Sequence, residues 1–232
     1  MLDRNNGGTA ITVSDNYTRL EWLQVRRTGG ADGRSGVYVT NATNVLLDSL
    51  LVYDFNGATT CYGIRGDTSG GATLRNCVVY DGIGRGIVAD AASSALTVQN
   101  CTVYGITGRG VSKVSGTLTA TNTIAMGCTI EDFGSGLTQS YNMSSDASAA
   151  GAGSLPSRTA SAQFDCLLAG NWNLHLKAGS AAIDAGSVLS LAIDFDNGAR
   201  SVPWDMGADE WNASGAGQKQ TPRVATWREA AP

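Results

Sequence analysis

A short unit of alternating apolar and polar positions recurs along the first half of the chain. In each copy an apolar run is followed by Asn or Ser and by a second apolar run, which in three copies ends at tyrosine. The central apolar positions of successive copies are Val25, Val52, Val79, Val103 and Ala125, at separations of 27, 27, 24 and 22 residues. Runs this short, punctuated by Gly, Asn, Asp and Ser, predict β-strands, and no segment keeps the 3.6-residue period of a helix. The pattern therefore predicts a repeat protein built from strands.

Two repeat architectures have a period of this length, the leucine-rich horseshoe and the parallel β-helix. The leucine ladder that the horseshoe requires is absent. In a β-helix each repeat forms one coil, and coils stack about 4.8 Å apart, so equivalent side chains form columns. Besides the aliphatic column, the copies align in three more: polar Ser49, Asn76, Asn100 and Asn122; aromatic Tyr53, Tyr80 and Tyr104; and glycines Gly36, Gly63, Gly86 and Gly110. These columns predict an all-β solenoid.

The composition agrees with stacked strands and narrows the function classes. Glycine contributes 30 residues, roughly twice its usual share, and charged residues only 16% against roughly 25% in an average domain. A net charge of −4 argues against general nucleic-acid binding. No apolar stretch approaches the ~20 residues that cross a bilayer, and the first residues lack the apolar core of a signal peptide. Cys77 and Cys101 share a repeat position, so we expect small buried thiols and no disulfide framework.

The second half of the chain carries three motif segments. Residues 173–186 read NLHLKAGSAAIDAG, residues 194–200 read DFDNGAR and residues 204–211 read WDMGADEW. Together with the repeats, these segments resemble right-handed parallel β-helix proteins of the pectin-lyase-like superfamily with a choice-of-anchor-type C-terminal module, found in phage structural and bacterial surface proteins. The resemblance implies a single-stranded right-handed parallel β-helix with an irregular C-terminal capping module. A resemblance of fold says little about chemistry.

Composition changes along the chain predict four regions. Residues 1–135 are expected to form the β-helix coils, and residues 136–163 a Ser/Ala/Gly-rich irregular loop. Residues 164–211 are expected to form the capping module at the C-terminal end of the solenoid. Residues 212–232 are expected to form a linker and a partner-docking tail, whose candidate contact residues are Arg223, Trp227 and Arg228.

The coils hold one candidate for acid/base catalysis. Asp54 and Asp81 share a coil position on neighbouring repeats, and two carboxylates held that close shift each other's pKa. The next coil has Gly105 there, however, and aspartate is also an ordinary turn residue. The turn interpretation is favoured over the catalytic one.

The module holds the remaining candidates. Asp194 and Asp196 resemble part of a cation-binding loop but lack the later bidentate glutamate, which favours a turn capped by its own carboxylates. Asp184, Arg200, Asp205 and Asp209 are expected to form an ion-pair and turn network, and His175, the only histidine, to be a packed structural residue. No spacing typical of a metal site or a cofactor motif is present, so neither a metal nor a cofactor is predicted.

Two function classes follow from these expectations. The first is a non-enzymatic structural protein, a phage virion component that decorates a capsid or forms part of a fibre or spike. Its expected partners are other virion proteins or further copies of the chain, at an uncapped N-terminal coil and at the tail. The second is a polysaccharide lyase or hydrolase, or a glycan-binding β-helix, of a secreted bacterial protein.

Overall fold

The computed structural model describes residues 1–3, 7–26, 28, 30, 32–57, 60–67, 71–169 and 171–212. Seventeen short strands build the solenoid: β1 (Leu2–Asp3), β2 (Ile11–Val13), β3 (Arg19–Glu21), β4 (Gln24–Arg26), β5 (Ser35–Val39), β6 (Val45–Asp48), β7 (Leu51–Phe55), β8 (Cys61–Gly66), β9 (Ala72–Arg75), β10 (Val78–Ala89), β11 (Ala95–Gln99), β12 (Thr102–Lys113), β13 (Thr117–Thr121), β14 (Ile124–Met126), β15 (Glu131–Phe133), β16 (Thr138–Ser140) and β17 (Met143–Ser144). Among the described residues, no helix has the length and hydrophobicity needed to span a membrane.

The strands form three faces, and all pairing between coils is parallel. Face 1 holds β1, β4, β7, the first parts of β10 and β12, β14 and β17. Face 2 holds β2, β5, β8, the second parts of β10 and β12, and β15, whereas face 3 holds β3, β6, β9, β11, β13 and β16. The predicted fold class is confirmed: the described chain is nearly all β, with parallel strands stacked as a single-stranded solenoid and an irregular C-terminal module after it.

The strand register matches the columns predicted from the sequence. Val25, Val52, Val79, Val103 and Ala125 are directly paired from coil to coil and are completely buried. Tyr53, Tyr80 and Tyr104 are also in register, and the rings of Tyr53 and Tyr80 stack at 5.0 Å between centroids. A shift of one residue would turn each aliphatic side chain out of the core, so burial fixes this register.

The glycine column is explained by space inside the solenoid. A Cβ atom built on Gly86 would lie 2.7 Å from the carbonyl oxygen of Gly110 and 2.8 Å from a methyl group of Val103. Equivalent clashes, with the next glycine carbonyl and the neighbouring valine, arise at Gly36 and Gly63. Because these glycines have no side chain, the backbone of face 2 packs directly against the valine column and leaves no cavity.

The polar column occupies the corner between face 3 and face 1. Ser49, Asn76, Asn100 and Asn122 all have left-handed backbone conformations, with φ between 46° and 53°. Asparagine adopts this conformation more readily than most residues, because its side chain can bond locally. The backbone therefore selects these residue types, and their side chains are free to make further contacts.

The segment predicted as an irregular loop, 136–163, is more ordered than expected. It contains β16 and β17, and the residues that follow β17 pass over the last coil. The Asp132 carboxylate accepts the backbone amides of Ser145 (2.7 Å) and Asp146 (3.2 Å), while Asp146 accepts that of Asp132 (3.0 Å). Ala149 is buried in the solenoid core. Small and acidic residues thus provide hydrogen-bond partners for the backbone groups of the last coil. This segment covers the C-terminal end of the solenoid.

The C-terminal module lies elsewhere than the sequence suggested. After a 3₁₀ turn (Ala160–Ala162) it begins with an antiparallel pair, β18 (Phe164–Leu168) and β19 (Asn171–Leu176), and continues in turns to residue 211. It packs against the outer side of face 1 instead of over the last coil. The second hydrophobic cluster joins the two parts; its buried members are Leu51, Tyr53, Val78, Tyr80, Ile124, Met126, Met143, Phe164, Leu174, Leu176, Ala182, Phe195, Met206 and Ala208.

Candidate functional site

Buried carboxylates organise the part of the module that follows β19. This segment has few regular backbone hydrogen bonds, so its amide groups need other acceptors. The Asp194 carboxylate accepts the amides of Gly198 (2.6 Å), Asp196 (3.0 Å) and Glu210 (3.3 Å). Asp205 accepts the amides of Asp184 (2.7 Å) and Trp211 (2.5 Å). These side chains replace secondary structure as the acceptors that hold the turns.

Arg200 links the carboxylates to the solenoid. Its side chain is fully buried, and Nη1 donates to the Glu210 carboxylate at 3.1 Å. Nη2 donates to the carbonyl oxygens of Gly207 and Ala208 and to the side-chain oxygen of Asn76, each at 3.0 Å. Burial of a guanidinium ion costs much free energy unless the ion is paired with an opposite charge and hydrogen-bonded, as it is here. Arg200 is therefore the ion that joins the module to the polar column.

The dense packing of acidic groups shifts their protonation. Burial, with the nearby Asp209 charge, raises the pKa of Asp194 to about 6. Burial raises the pKa of Asp205 to about 7 and also raises that of Asp209. Burial lowers the pKa of Arg200, against the pull of Glu210 and the neighbouring aspartates. Burial in the module thus disfavours the charged forms of these groups, and specific hydrogen bonds and opposite charges favour them.

The polar column is the docking surface for the module. Asn76 donates to the carbonyl of Ile193 at 3.1 Å, and Asn100 donates to that of Asp205 at 3.2 Å. Asn122 donates to the carbonyl of Ser187 at 2.7 Å and accepts its amide at 2.8 Å. The asparagines also bond within the column, where Asn122 donates to Asn100 at 3.3 Å. The repeats predict the column but not this role.

Replacing Asn122 with alanine is expected to loosen the module at Ser187. The substitution leaves the partly buried amide and carbonyl of Ser187 without their Asn122 partners, and each such loss is costly. We expect amide exchange at Ser187 to become at least ~10-fold faster, since about 1.4 kcal/mol corresponds to a factor of ten. Hydrogen exchange followed by NMR measures this rate.

Ser49 provides the matched control, because it occupies the same column and its hydroxyl bonds to Asp48. Ser49→Ala should leave exchange at Ser187 unchanged. Equal exchange at Ser187 in Asn122→Ala and in the unmodified protein would contradict the docking role of the column.

A second cluster gathers the only histidine with two aspartates. His175 lies on β19, Asp196 in the turn after Phe195, and Asp209 near the end of the module; one ligand atom of each lies within 4.8 Å of the others. His175 Nε2 makes a short contact with Asp196 Oδ2, and Asp209 Oδ2 accepts the Leu176 amide at 2.7 Å. Burial lowers the pKa of His175, but the hydrogen bond to Asp196 and the nearby acidic charges outweigh it and raise this pKa to about 9.

A small pocket opens beside this cluster at the seam between module and solenoid. It is lined by Val78 of face 1, Leu174, Phe195, Ala208 and the three polar residues of the cluster. Its volume of about 20 Å³ accommodates roughly one water-sized body. Asp209 is therefore buried and His175 and Asp196 are half-buried between apolar walls, beside a pocket that opens to solvent.

The candidate catalytic pair, Asp54 and Asp81, lies at the corner between faces 1 and 2. Both residues have left-handed backbone conformations, with φ of 53° and 54°, and the next two coils have glycines there, Gly105 (φ 63°) and Gly127 (φ 67°). The Asp54 carboxylate accepts the side-chain amide of Asn56 at 2.6 Å. Aspartate and glycine share a tolerance for this conformation, so the corner geometry alone explains the pair.

Apart from Asp184, the predicted residues of the module take part in the networks described above. Asp184 is exposed, with φ of 57°, and its backbone amide rather than its carboxylate joins the network. The predicted tail contacts, Arg223, Trp227 and Arg228, lie outside the described residues. The grouping of His175 with Asp196 and Asp209 was not predicted from the sequence. The available signal was that each of the three motif segments contributes one member.

Comparison with known proteins bears on the solenoid. A family model described as "Right handed beta helix region" matches residues 3–124, which is more than half of the chain. The match runs from β1 to the first residue of β14 and stops before the module. No curated protein and no solved structure matched the chain.

Proposed function

The chain belongs to the right-handed β-helix family, and on this premise we propose that it is a non-enzymatic structural protein. The observation that carries the proposal is the closure of face 1 by the module. Enzymes of the pectin-lyase type act with carboxylates aligned on an open outer face, whereas here the outer residues Leu51, Val78 and Ile124 are buried under the module. Solenoid and module share one hydrophobic cluster, and a covered face suits support rather than turnover.

The commitment of the acidic residues supports the same proposal. Asp194, Asp205 and Glu210 accept backbone amides within the module. A carboxylate fixed by backbone donors stabilises a turn and has little freedom to move a proton to or from a substrate. The pair at the corner of faces 1 and 2 follows the backbone conformation of its column.

We propose a phage virion as the setting, with the β-helix docked on a larger assembly. This part of the proposal rests on the resemblance of residues 173–186 and 204–211 to choice-of-anchor-type modules of phage structural proteins. The partners proposed are other virion proteins or further copies of the chain, at the first coil and through Arg223, Trp227 and Arg228. Immunogold labelling of purified phage particles, with an antibody against the chain, tests the setting. Particles that stay unlabelled although the antibody detects the free protein would contradict it.

An assay of polysaccharide cleavage tests the absence of enzymatic activity. Acidic polysaccharides are incubated with the protein, and new reducing ends and unsaturated products are measured. We expect no product above the level given by a variant with both Asp54→Asn and Asp81→Asn. Cleavage by the unmodified protein that disappears in this variant would overturn the proposal and assign catalysis to the pair.

A groove on face 3 favours glycan binding as a second candidate function. It measures about 460 Å³ and is lined by Asn44, Leu46, Thr73, Arg75 and Thr97 among others. The groove presents hydroxyl and amide groups together with the Arg75 guanidinium, which also donates to the Asp48 carboxylate at 2.8 Å, and these groups offer hydrogen-bond partners to a sugar. Binding of an acidic oligosaccharide that is lost in Arg75→Met but kept in Arg109→Met would support this candidate, because Arg109 lies on face 2.

A further inference from the structure

The cluster of His175, Asp196 and Asp209 has the donor set of a metal site. Its members come from three separate segments, yet one nitrogen and two carboxylate oxygens lie within 4.8 Å of one another. Two ligands of a tetrahedral Zn²⁺ ion, each about 2.0–2.1 Å from the metal, stand about 3.3 Å apart. Because the three atoms lie within 4.8 Å of one another, none has to approach another by more than about 1.5 Å to reach that spacing.

The surroundings of His175 orient its imidazole as metal-binding histidines are oriented. The side-chain amide of Asn173 donates to Asp165 at 3.3 Å, which directs its oxygen, Oδ1, toward the ring. That oxygen lies 2.5 Å from Nδ1 and also accepts the His175 backbone amide at 3.1 Å. Nδ1 therefore carries a proton, and Nε2 faces the two carboxylates. A metal-bound imidazole almost always donates its other N–H in this way.

The remaining ligands are held in a similar manner. Asp209 is buried, and its Oδ2 is fixed by the Leu176 amide, so its carboxylate cannot turn away. Asp196 lies within a turn. The Asp194 carboxylate closes this turn by accepting the backbone amides of Asp196 and Gly198. Such preorganisation distinguishes a built site from a chance group of acidic residues.

Charge and access favour a cation at this position. Asp194, Asp196 and Asp209 lie close together. Arg200, the only arginine among the described residues of the module, forms its ion pair with Glu210, although its charge also lowers the pKa of Asp194 and Asp209. The pocket that opens beside the cluster has room for about one water molecule. A metal ion could enter by this route and retain one water ligand.

We propose that His175 Nε2, Asp196 and Asp209 bind a divalent transition-metal ion, with Zn²⁺ as the representative probe. One imidazole and two carboxylates suit this class better than Ca²⁺, which takes six to eight oxygen ligands. The ion joins β19, the turn at Asp194–Asp196 and the last segment of the module. It acts as a structural staple, and the proposal goes beyond the structural function proposed above without depending on it.

Calorimetric titration of untagged, chelator-treated protein tests the proposal. We expect saturable binding of one Zn²⁺ at the site, and a rise in melting temperature that is complete when the site is filled. His175→Gln and Asp196→Asn should each weaken binding at least about 10-fold. Asp184→Asn is the matched control, because it removes an exposed carboxylate of the same module and keeps a residue type suited to its left-handed conformation.

The single histidine allows a direct test in the unmodified protein. Because partly accessible thiols such as Cys166 also bind Zn²⁺, stoichiometry alone does not locate the ion. Long-range ¹H–¹⁵N correlation spectra of the imidazole should show a shift of Nε2 on addition of Zn²⁺, with Nδ1 still protonated. Unchanged imidazole signals at saturating Zn²⁺, or an equal loss of affinity in Asp184→Asn, would overturn the proposal. An ion pair between His175 and Asp196 without metal binding would then describe the cluster.

Discussion

Replacing Arg200 with methionine is expected to lower the free energy of unfolding of the module by about 3–5 kcal/mol, the range for loss of one partner of a buried ion pair. Methionine fills part of the volume but leaves the Glu210 carboxylate buried without its cation. It also removes the donors to Asn76, Gly207 and Ala208. The measurement is urea unfolding followed by tryptophan fluorescence, which reports on the module through Trp172, Trp204 and Trp211.

Arg109→Met is the matched control for this prediction. Arg109 also pairs with a glutamate, Glu131, but its side chain is 37% exposed, whereas that of Arg200 is fully buried. Exposed pairs typically contribute about 0–1 kcal/mol. If both substitutions reduced stability equally, burial would not be what gives the Arg200 pair its importance.

Substituting alanine for Gly86 is the second change with a large expected effect. The added methyl group meets the Gly110 carbonyl and Val103 inside a packed wall, and overpacking of this kind costs about 1–3 kcal/mol. Since the contacts join adjacent coils, we expect loss of cooperativity in the solenoid as well as a lower midpoint. Circular dichroism during urea unfolding measures both.

Gly105→Asp separates the effect of space from the effect of losing a glycine. Nothing lies within 4 Å of a Cβ atom built on Gly105, and aspartate already occupies the same corner at Asp54 and Asp81. This substitution should change the free energy of unfolding by less than about 1 kcal/mol. A cost as large as that of Gly86→Ala would show that the loss of a glycine, and not the lack of space, causes the destabilisation.

The sequence was sufficient to predict the solenoid because stacking repeats each residue type at a fixed interval. Val52, Val79 and Val103 could be aligned without structural information, and the strand register agrees with the alignment. The position of the module could not be predicted in the same way. It depends on contacts such as that between Asn122 and Ser187, which are 65 residues apart and do not repeat.

The same distinction applies within the module. The sequence suggested an acidic network, because motif segments rich in aspartate needed partners. It did not show that His175 and Asp209 lie together, since they are 34 positions apart and, among the described residues, no strand or helix follows β19. The cover over the last coil was also missed, because Ser, Ala and Gly are typical of loops. Here the Ser148 hydroxyl accepts the amide of Phe133, and the Ser145 amide donates to the Asp132 carboxylate.

The corners of the solenoid differ in how much chain they accommodate, and this suggests where foreign sequence could be added. From face 3 to face 1 the aligned positions are always five residues apart, as in Leu74 to Val79 and Val98 to Val103. From face 1 to face 2 the separation is ten residues between Asp54 and Ile64 but six between Asp81 and Ile87. The corner between face 1 and face 2 therefore tolerates added residues. A peptide epitope grafted there would extend outward from the solenoid, and successive grafts would be separated by the spacing of the coils.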